Sequence, residues 1–121
     1  MTKAENASVQ ALLPLPLAVF HMLLALSDGE RHGYALKREI LRRTNGKLNL
    51  GSGALYGSIS RMLDQGLIEE SDERPDLHLD DERRRYYRIT ALGRRVAQAE
   101  AVRLQQLVRL AENSLGIPEL A

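Results

Sequence analysis

From Leu15 to Leu26 nearly every position is apolar: Leu17, Val19, Phe20, Met22, Leu23, Leu24 and Leu26 leave no polar face. A helix of that kind, in a chain this short, is either central to the fold or half of an interface. Pro16 suits its first turn, where a missing N–H costs nothing, and Ser27-Asp28-Gly29 ends it. The period then becomes helical with two faces. Tyr34, Leu36, Ile40 and Leu41 supply the buried positions of a second helix, from His32-Gly33-Tyr34 to about Thr44. Asn45-Gly46 stops it with residues that tolerate left-handed backbone. Between Gly51 and Ile68, Leu55, Ile59, Met62 and Leu63 make a third stripe, closed by Gly66. Leu67-Ile68 opens a strand. In Arg84–Thr90, Tyr87 and Ile89 alternate with Tyr86 and Arg88, the period of a half-buried ribbon. Met1 to Gln10 is polar and expected to fray.

Thr90 is a good N-cap for a last helix running from Ala91 to about Asn113. Along it Ala97, Ala101, Leu104, Val108, Ala111 and Leu115 form one apolar stripe, and Leu92, Val96, Ala99, Leu107 and Leu110 extend it sideways. One stripe can pack on its own domain. The second has nothing left to cover it, which implies a partner chain. The expected interface is Leu17, Phe20 and Leu24 of the first helix with Ala97, Ala101, Leu104, Val108 and Ala111 of the last.

Helix, turn, helix and hairpin in that order predict a mainly α fold with a small β-hairpin: a winged helix-turn-helix over residues 1–90, followed by a long C-terminal dimerisation helix and tail over 91–121. The helix before the hairpin is unusual on its outer side. A solvated face normally carries long charged residues; this one carries Gly53, Tyr56, Gly57, Ser60, Arg61 and Asp64. A slim face with one arginine suits entry into a major groove about 12 Å wide. The stripe itself says only that the other side packs in a core.

Charge supports nucleic acid locally. The whole chain of 121 residues is nearly balanced, 17 basic against 16 acidic, but the signs are segregated. Between Arg31 and Arg61 lie Arg31, Lys37, Arg38, Arg42, Arg43, Lys47 and Arg61 against Glu39 alone; between Glu69 and Glu82 the excess is acidic. Cysteine is absent, which removes disulfides, zinc fingers and thiol catalysis. Leu12 to Leu26 is interrupted by Pro14, Pro16 and His21 and is too short to span a bilayer, and the start of the chain lacks signal-peptide features. A soluble cytoplasmic protein is expected. No nucleophile triad, phosphate-binding glycine loop or paired-carboxylate pocket is evident, so neither an enzyme nor a cofactor is expected. His78 among Asp76, Asp80 and Asp81 has the donors of a metal site, but an acidic loop with one histidine is far commoner, and no metal is assigned.

Three motifs stand in register: HGYALKREI (His32 to Ile40), GSGALYGSISRMLDQGLIEES (Gly51 to Ser71) and RRRYYRITALG (Arg83 to Gly93). Together they resemble the PadR family of bacterial transcriptional regulators, over about Leu15 to Asn113. With one helix after the wing, the chain is similar to the short subfamily. The resemblance implies a repressor that dimerises through the last helix and the partner's first helix. In some members a small aromatic or multidrug-like effector binds at the dimer interface and releases the DNA. The chain has no tryptophan, so a sandwich between indoles is excluded.

The expected DNA contacts are Lys37, Arg38 and Lys47 to phosphates, Ser52, Gly53, Tyr56, Gly57, Ser60 and Arg61 along the groove, and Arg84 and Arg85 from the wing. The operator is expected to be double-stranded and an inverted repeat. The chain departs from the family pattern at Ser52 and Ala54, where proline and threonine are usual. It departs again at Asp80-Asp81-Glu82, where a glycine precedes the basic run. Arg83, Arg84 and Arg85 therefore either reach the DNA backbone or pair with those acids. A second reading stays open: a winged-helix module that no longer binds DNA and joins proteins through its long helix.

Overall fold

The computed structural model describes residues 2–71 and 85–118. Its elements are α1 (Lys3–Ala11), α2 (Leu17–Ser27), β1 (Arg31–His32), α3 (Gly33–Arg43), α4 (Ser52–Asp64), β2 (Ile68–Ser71), β3 (Tyr86–Ile89) and α5 (Ala91–Leu115). The helical stripes read from the sequence pack together. Met22 and Leu23 of α2, Leu36 and Ile40 of α3, Leu55 and Met62 of α4, Leu67, and Val96 of α5 meet in one core. The expected winged helix-turn-helix with a long last helix is the architecture observed.

Four local expectations change. The first residues form α1, capped by the Thr2 hydroxyl, which accepts the Glu5 N–H at 3.1 Å. Val9 is buried, and α1 packs on α5. Val9 is the one large apolar residue among alanines and polar side chains, which carries no clear period, so the sequence pattern does not reveal this helix. Tyr34, expected inside, is exposed, because the buried stripe of α3 runs through Gly33, Leu36 and Ile40. The hairpin gains a third strand, the two-residue β1, giving the antiparallel order β1-β3-β2 with His32 opposite Tyr86 and Ser71 opposite Tyr86. The inside–outside alternation of β3 also fails, since Tyr86 and Tyr87 are both buried. His32 covers Tyr86 from the edge, with ring centroids 5.4 Å apart.

The junction of hairpin and last helix is tight. Gly66 has φ of 74°, a left-handed turn that glycine adopts without strain. Thr90 donates its N–H to the Leu67 carbonyl at 3.1 Å and its hydroxyl to the Gly66 carbonyl at 2.6 Å. The same hydroxyl accepts the Gly93 N–H at 3.0 Å and caps α5. Gly93 lies so close to the chain just before β2 that a Cβ there would stand 2.0 Å from the Leu67 oxygen.

At the other side of α5 a buried carboxylate holds the start of α2. Glu100 accepts the Leu15 N–H at 3.3 Å and pairs with Arg103 at 3.0 Å. The Arg103 guanidinium keeps the Glu100 carboxyl below its ordinary range despite burial.

α5 has 25 residues, about 37 Å at 1.5 Å per residue. Its first half is part of the core through Gly93, Val96, Ala97 and Glu100; beyond Glu100 no residue is fully buried. Ala97, assigned from the sequence to a partner chain, is therefore a core residue of its own domain. The later half leaves Val102, Leu107, Val108, Leu110 and Leu115 exposed, and α2 leaves Leu17 and Leu24 exposed. Among the described residues no helix is long and apolar enough to cross a membrane. They contain no group that could hold a metal ion, and His78 lies outside them.

Gly93→Ala drives a methyl into the Leu67 backbone, where only a shift of the helix relieves it. Overpacking of this kind costs roughly 1–3 kcal/mol or more. The variant is expected to lose at least about 2 kcal/mol in urea unfolding; wild-type stability would show that α5 starts elsewhere.

Candidate nucleic-acid interface

The turn between α3 and α4 is built by Thr44 and two left-handed residues. The Thr44 hydroxyl donates to the Ile40 carbonyl at 2.9 Å and accepts the Leu48 N–H at 3.0 Å. Asn45 and Gly46, at φ of 52° and 79°, turn the chain, and buried Leu50 anchors it before α4.

α4 then presents the two faces expected. Leu55, Ser58, Ile59 and Met62 are buried; Ser52, Gly53, Tyr56, Gly57, Ser60, Arg61 and Asp64 are exposed. Gly51 is the N-cap and offers no side chain, while Ser52 is the first helical residue, so its hydroxyl does not cap the helix. Ser58 was not singled out by the sequence. Its Oγ accepts from Nη2 of the Arg61 guanidinium at 3.4 Å, so the tip of that side chain rests against its own helix.

Tyr56 joins α4 to α3. A Cβ at Gly33 would stand 2.9 Å from both Cε1 and the hydroxyl oxygen of Tyr56, so the phenol end of the ring lies against the start of α3. That close approach explains the glycine after His32. The His32 imidazole Nδ1 accepts the Ala35 N–H at 3.1 Å and caps α3. On the outer side of α3 the Arg38 guanidinium sits 5.9 Å from the Tyr34 ring centroid, a cation–π pair at the surface.

The basic block is partly neutralised from within. Arg42 and Arg43 both grip Glu39, Arg31 stands 3.9 Å from it, and Arg43 also pairs with Asp28. Arg42 therefore does not stand among the free cations of the block. Among the described residues Lys37, Arg38, Lys47 and Arg61 have no carboxylate partner. Lys37 and Arg38 lie on α3 and Arg61 on α4; Lys47 lines a separate cleft with Leu17 and His21 of α2. At the base of the wing the cations are paired. Arg85 lies 3.6 Å from Glu70, and Arg88 lies 2.8 Å from Glu69 and 3.8 Å from Glu30. Arg84 and the acids from Asp72 to Glu82 lie outside the described residues.

Hydrogen bonds from Arg42 and then Arg43 hold the Glu39 carboxyl down from 4.5 to about 2. A depressed carboxyl stabilises the fold above its unfolded pKa, and the contribution is lost as pH falls through the folded one. Glu39→Gln is therefore expected to lower the urea midpoint at neutral pH. The gap to wild type should shrink between 4.5 and about 2. A gap that persists at the acid end would show that the ion pairs are not its source.

The comparisons agree with this geometry. The model of the transcriptional regulator PadR-like family matches residues 22–99, well over half of the chain. An uncharacterized 37.1 kDa protein in transposon TN4556 of Streptomyces fradiae is 31% identical over 86 residues, covering 71% of this chain and 22% of that protein. Uncharacterized protein X of Lysinibacillus sphaericus is 33% identical over 73 residues, covering 60% of this chain and 64% of that protein. The chain thus spans less than two thirds of the length of either curated relative. A PadR family transcription regulator from Clostridium difficile superposes with a TM-score of 0.68 at 19% identity, over 84% of this chain and 100% of that one, which speaks for the fold alone. With the family model laid over α3, α4, β2, β3 and the start of α5, this chain belongs to the PadR-like family of transcriptional regulators.

Proposed function

We propose that the protein is a homodimeric repressor that binds an inverted-repeat operator through α4. The observation that carries this reading is the outer face of α4. Gly53 and Gly57 have ordinary helical backbone, and a Cβ at either would meet nothing within 4 Å. Nothing among the described residues asks for glycine at these positions, and glycine inside a helix costs about 1 kcal/mol relative to alanine. A close approach from outside accounts for them, and a helix 10–12 Å across needs every methyl of clearance to enter a major groove. Arg61 is the one long cation on that face and takes the role of base reader. Lys37 and Arg38 on α3 are the phosphate contacts.

Replacing Gly57 with Ala is expected to raise stability by up to about 1 kcal/mol and yet weaken DNA binding. Arg61→Ala is expected to weaken specific binding by roughly 1–3 kcal/mol and to relax one position of the site. Tight, specific binding by both variants would remove α4 from the groove.

The dimer follows from surface. The later half of α5 carries an apolar arc that its own domain does not cover, and α2 carries another. A two-fold axis lets the same surfaces bury one another and sets two recognition helices about 34 Å apart. A small apolar effector has a natural place beside this interface, in a cleft of about 420 Å³ between Phe20 and Leu104, Gln105 and Val108 of α5. Leu104→Glu with Val108→Glu is expected to force charge into the interface and leave monomers on sedimentation at micromolar concentration. Unchanged dimers would move the interface elsewhere.

The alternative, an interaction module without DNA binding, draws on the ion pairs of Arg85 and Arg88 at the wing base. A mobility-shift assay on the chain's own upstream DNA separates the two readings.

A further inference from the structure

We propose that Tyr34 is a positioning residue that holds Arg38 ready for a DNA phosphate without cancelling its charge. The proposal rests on the DNA-binding reading and adds to it a residue that acts through its neighbour.

Tyr34, Arg38 and Arg42 follow one another at i, i+4 spacing and form a single ridge along α3. All three are exposed, Tyr34 by 59%. The buried stripe of α3 runs instead through Gly33, Leu36 and Ile40, so the Tyr34 ring takes little part in the core. An exposed tyrosine needs no explanation by itself; what it touches gives it one.

The two arginines of the ridge are restrained by opposite means. Arg42 grips the Glu39 carboxylate, which fixes the guanidinium and neutralises it. Glu39 also takes Arg43 and stands 3.9 Å from Arg31, so that carboxylate is committed to the other side of the helix. Arg38 has no carboxylate partner among the described residues. Its guanidinium carbon lies 5.9 Å from the centroid of the Tyr34 ring. An aromatic face attracts a cation through its quadrupole and carries no net charge. A guanidinium resting there is restrained yet keeps its full positive charge. The ring face engages none of its N–H donors in conventional hydrogen bonds, so they stay available to phosphate oxygens.

Arg38 and Arg42 border a cleft of about 380 Å³ with Ala35 and Glu39. A phosphate approaching it meets one arginine already paired and one that is not. Ordering a long side chain on binding weakens affinity, and a ring that orders it beforehand removes part of that cost. The strength of an exposed cation–π pair sets the gain at roughly twofold to fivefold for each chain bound.

The test follows binding of the full chain to the duplex upstream of its own coding sequence, by fluorescence anisotropy across a salt series. Tyr34→Ala is expected to weaken binding roughly twofold to fivefold for each chain bound, and to leave the salt slope near that of wild type. Arg38→Ala is expected to lower the slope by about one for each chain. Tyr34→Phe keeps the ring face and is expected to stay within about twofold of wild type. In the Arg38→Ala background, Tyr34→Ala is expected to add no further loss, the mark of a residue that acts only through Arg38. Both side chains are exposed, and urea unfolding checks that each variant stays folded. Wild-type affinity in Tyr34→Ala overturns the proposal. A Tyr34→Phe variant as weak as Tyr34→Ala overturns it too, by giving the hydroxyl a contact of its own. So does a Tyr34→Ala loss that persists in full without Arg38. An Arg38→Ala variant that binds like wild type removes the phosphate contact, and the proposal with it. A wild type that binds no DNA at low salt overturns the DNA-binding reading beneath.

Discussion

α5 is longer than the domain that supports it, and this mismatch governs the rest of the molecule. The domain can bury the helix only as far as the reach of α1 and α2, so Val96 is fully buried while Leu110 and Leu115 are 64% and 84% exposed. The start of the helix has no freedom to shift, because Gly93 abuts the Leu67 backbone and Thr90 ties it to Gly66. A fixed start and an overlong end place the apolar surplus at one spot beyond the core. A surplus of that size is an interface or an aggregation hazard. In the proposed dimer a two-fold axis removes it, and the same axis carries a pair of α4 helices onto one side of the assembly.

The electrostatics are economical in a way that net charge conceals. Seven basic residues crowd the sequence from Arg31 to Arg61, yet Glu39 gathers Arg31, Arg42 and Arg43 into a network beside α2. That network ties Arg31, Arg42 and Arg43 to Glu39 and leaves Lys37, Arg38 and Arg61 as the described cations of α3 and α4 without a carboxylate partner, the ones proposed to meet phosphate and base. The arginines at the foot of the wing are paired in the same way, so the proposed binding through this face would depend on a few charges and on the slimness of α4 as much as on attraction.

Much of this was legible in the sequence because it rests on local rules. The Leu55, Ile59 and Met62 stripe, the Thr90 cap, the Asn45-Gly46 stop and the bare outer face of α4 are each written in neighbouring residues. What escaped depends on distant ones. α1 exists because Val9 finds α5, and Glu100 is a tether because folding brings Leu15 to it. Tyr86 is buried because a two-residue strand places His32 beside it, and Ala97 turns inward because the first half of α5 joins the common core. Gly33 looked like a helix start, whereas its close contact is with the Tyr56 ring on the next helix. The pairing of Arg42 and Arg43 through Glu39 was open to an i, i+3 and i, i+4 reading, and the count of charges hid it.

The central claim is that the chain acts on duplex DNA as a dimer. The most direct measurement is the mass of the complex formed with the DNA upstream of its own coding sequence, followed across a salt series. The account predicts two chains per duplex site, with affinity falling steeply as salt rises because phosphate contacts release counterions. One chain per site, or no complex on that DNA at low salt, would contradict it.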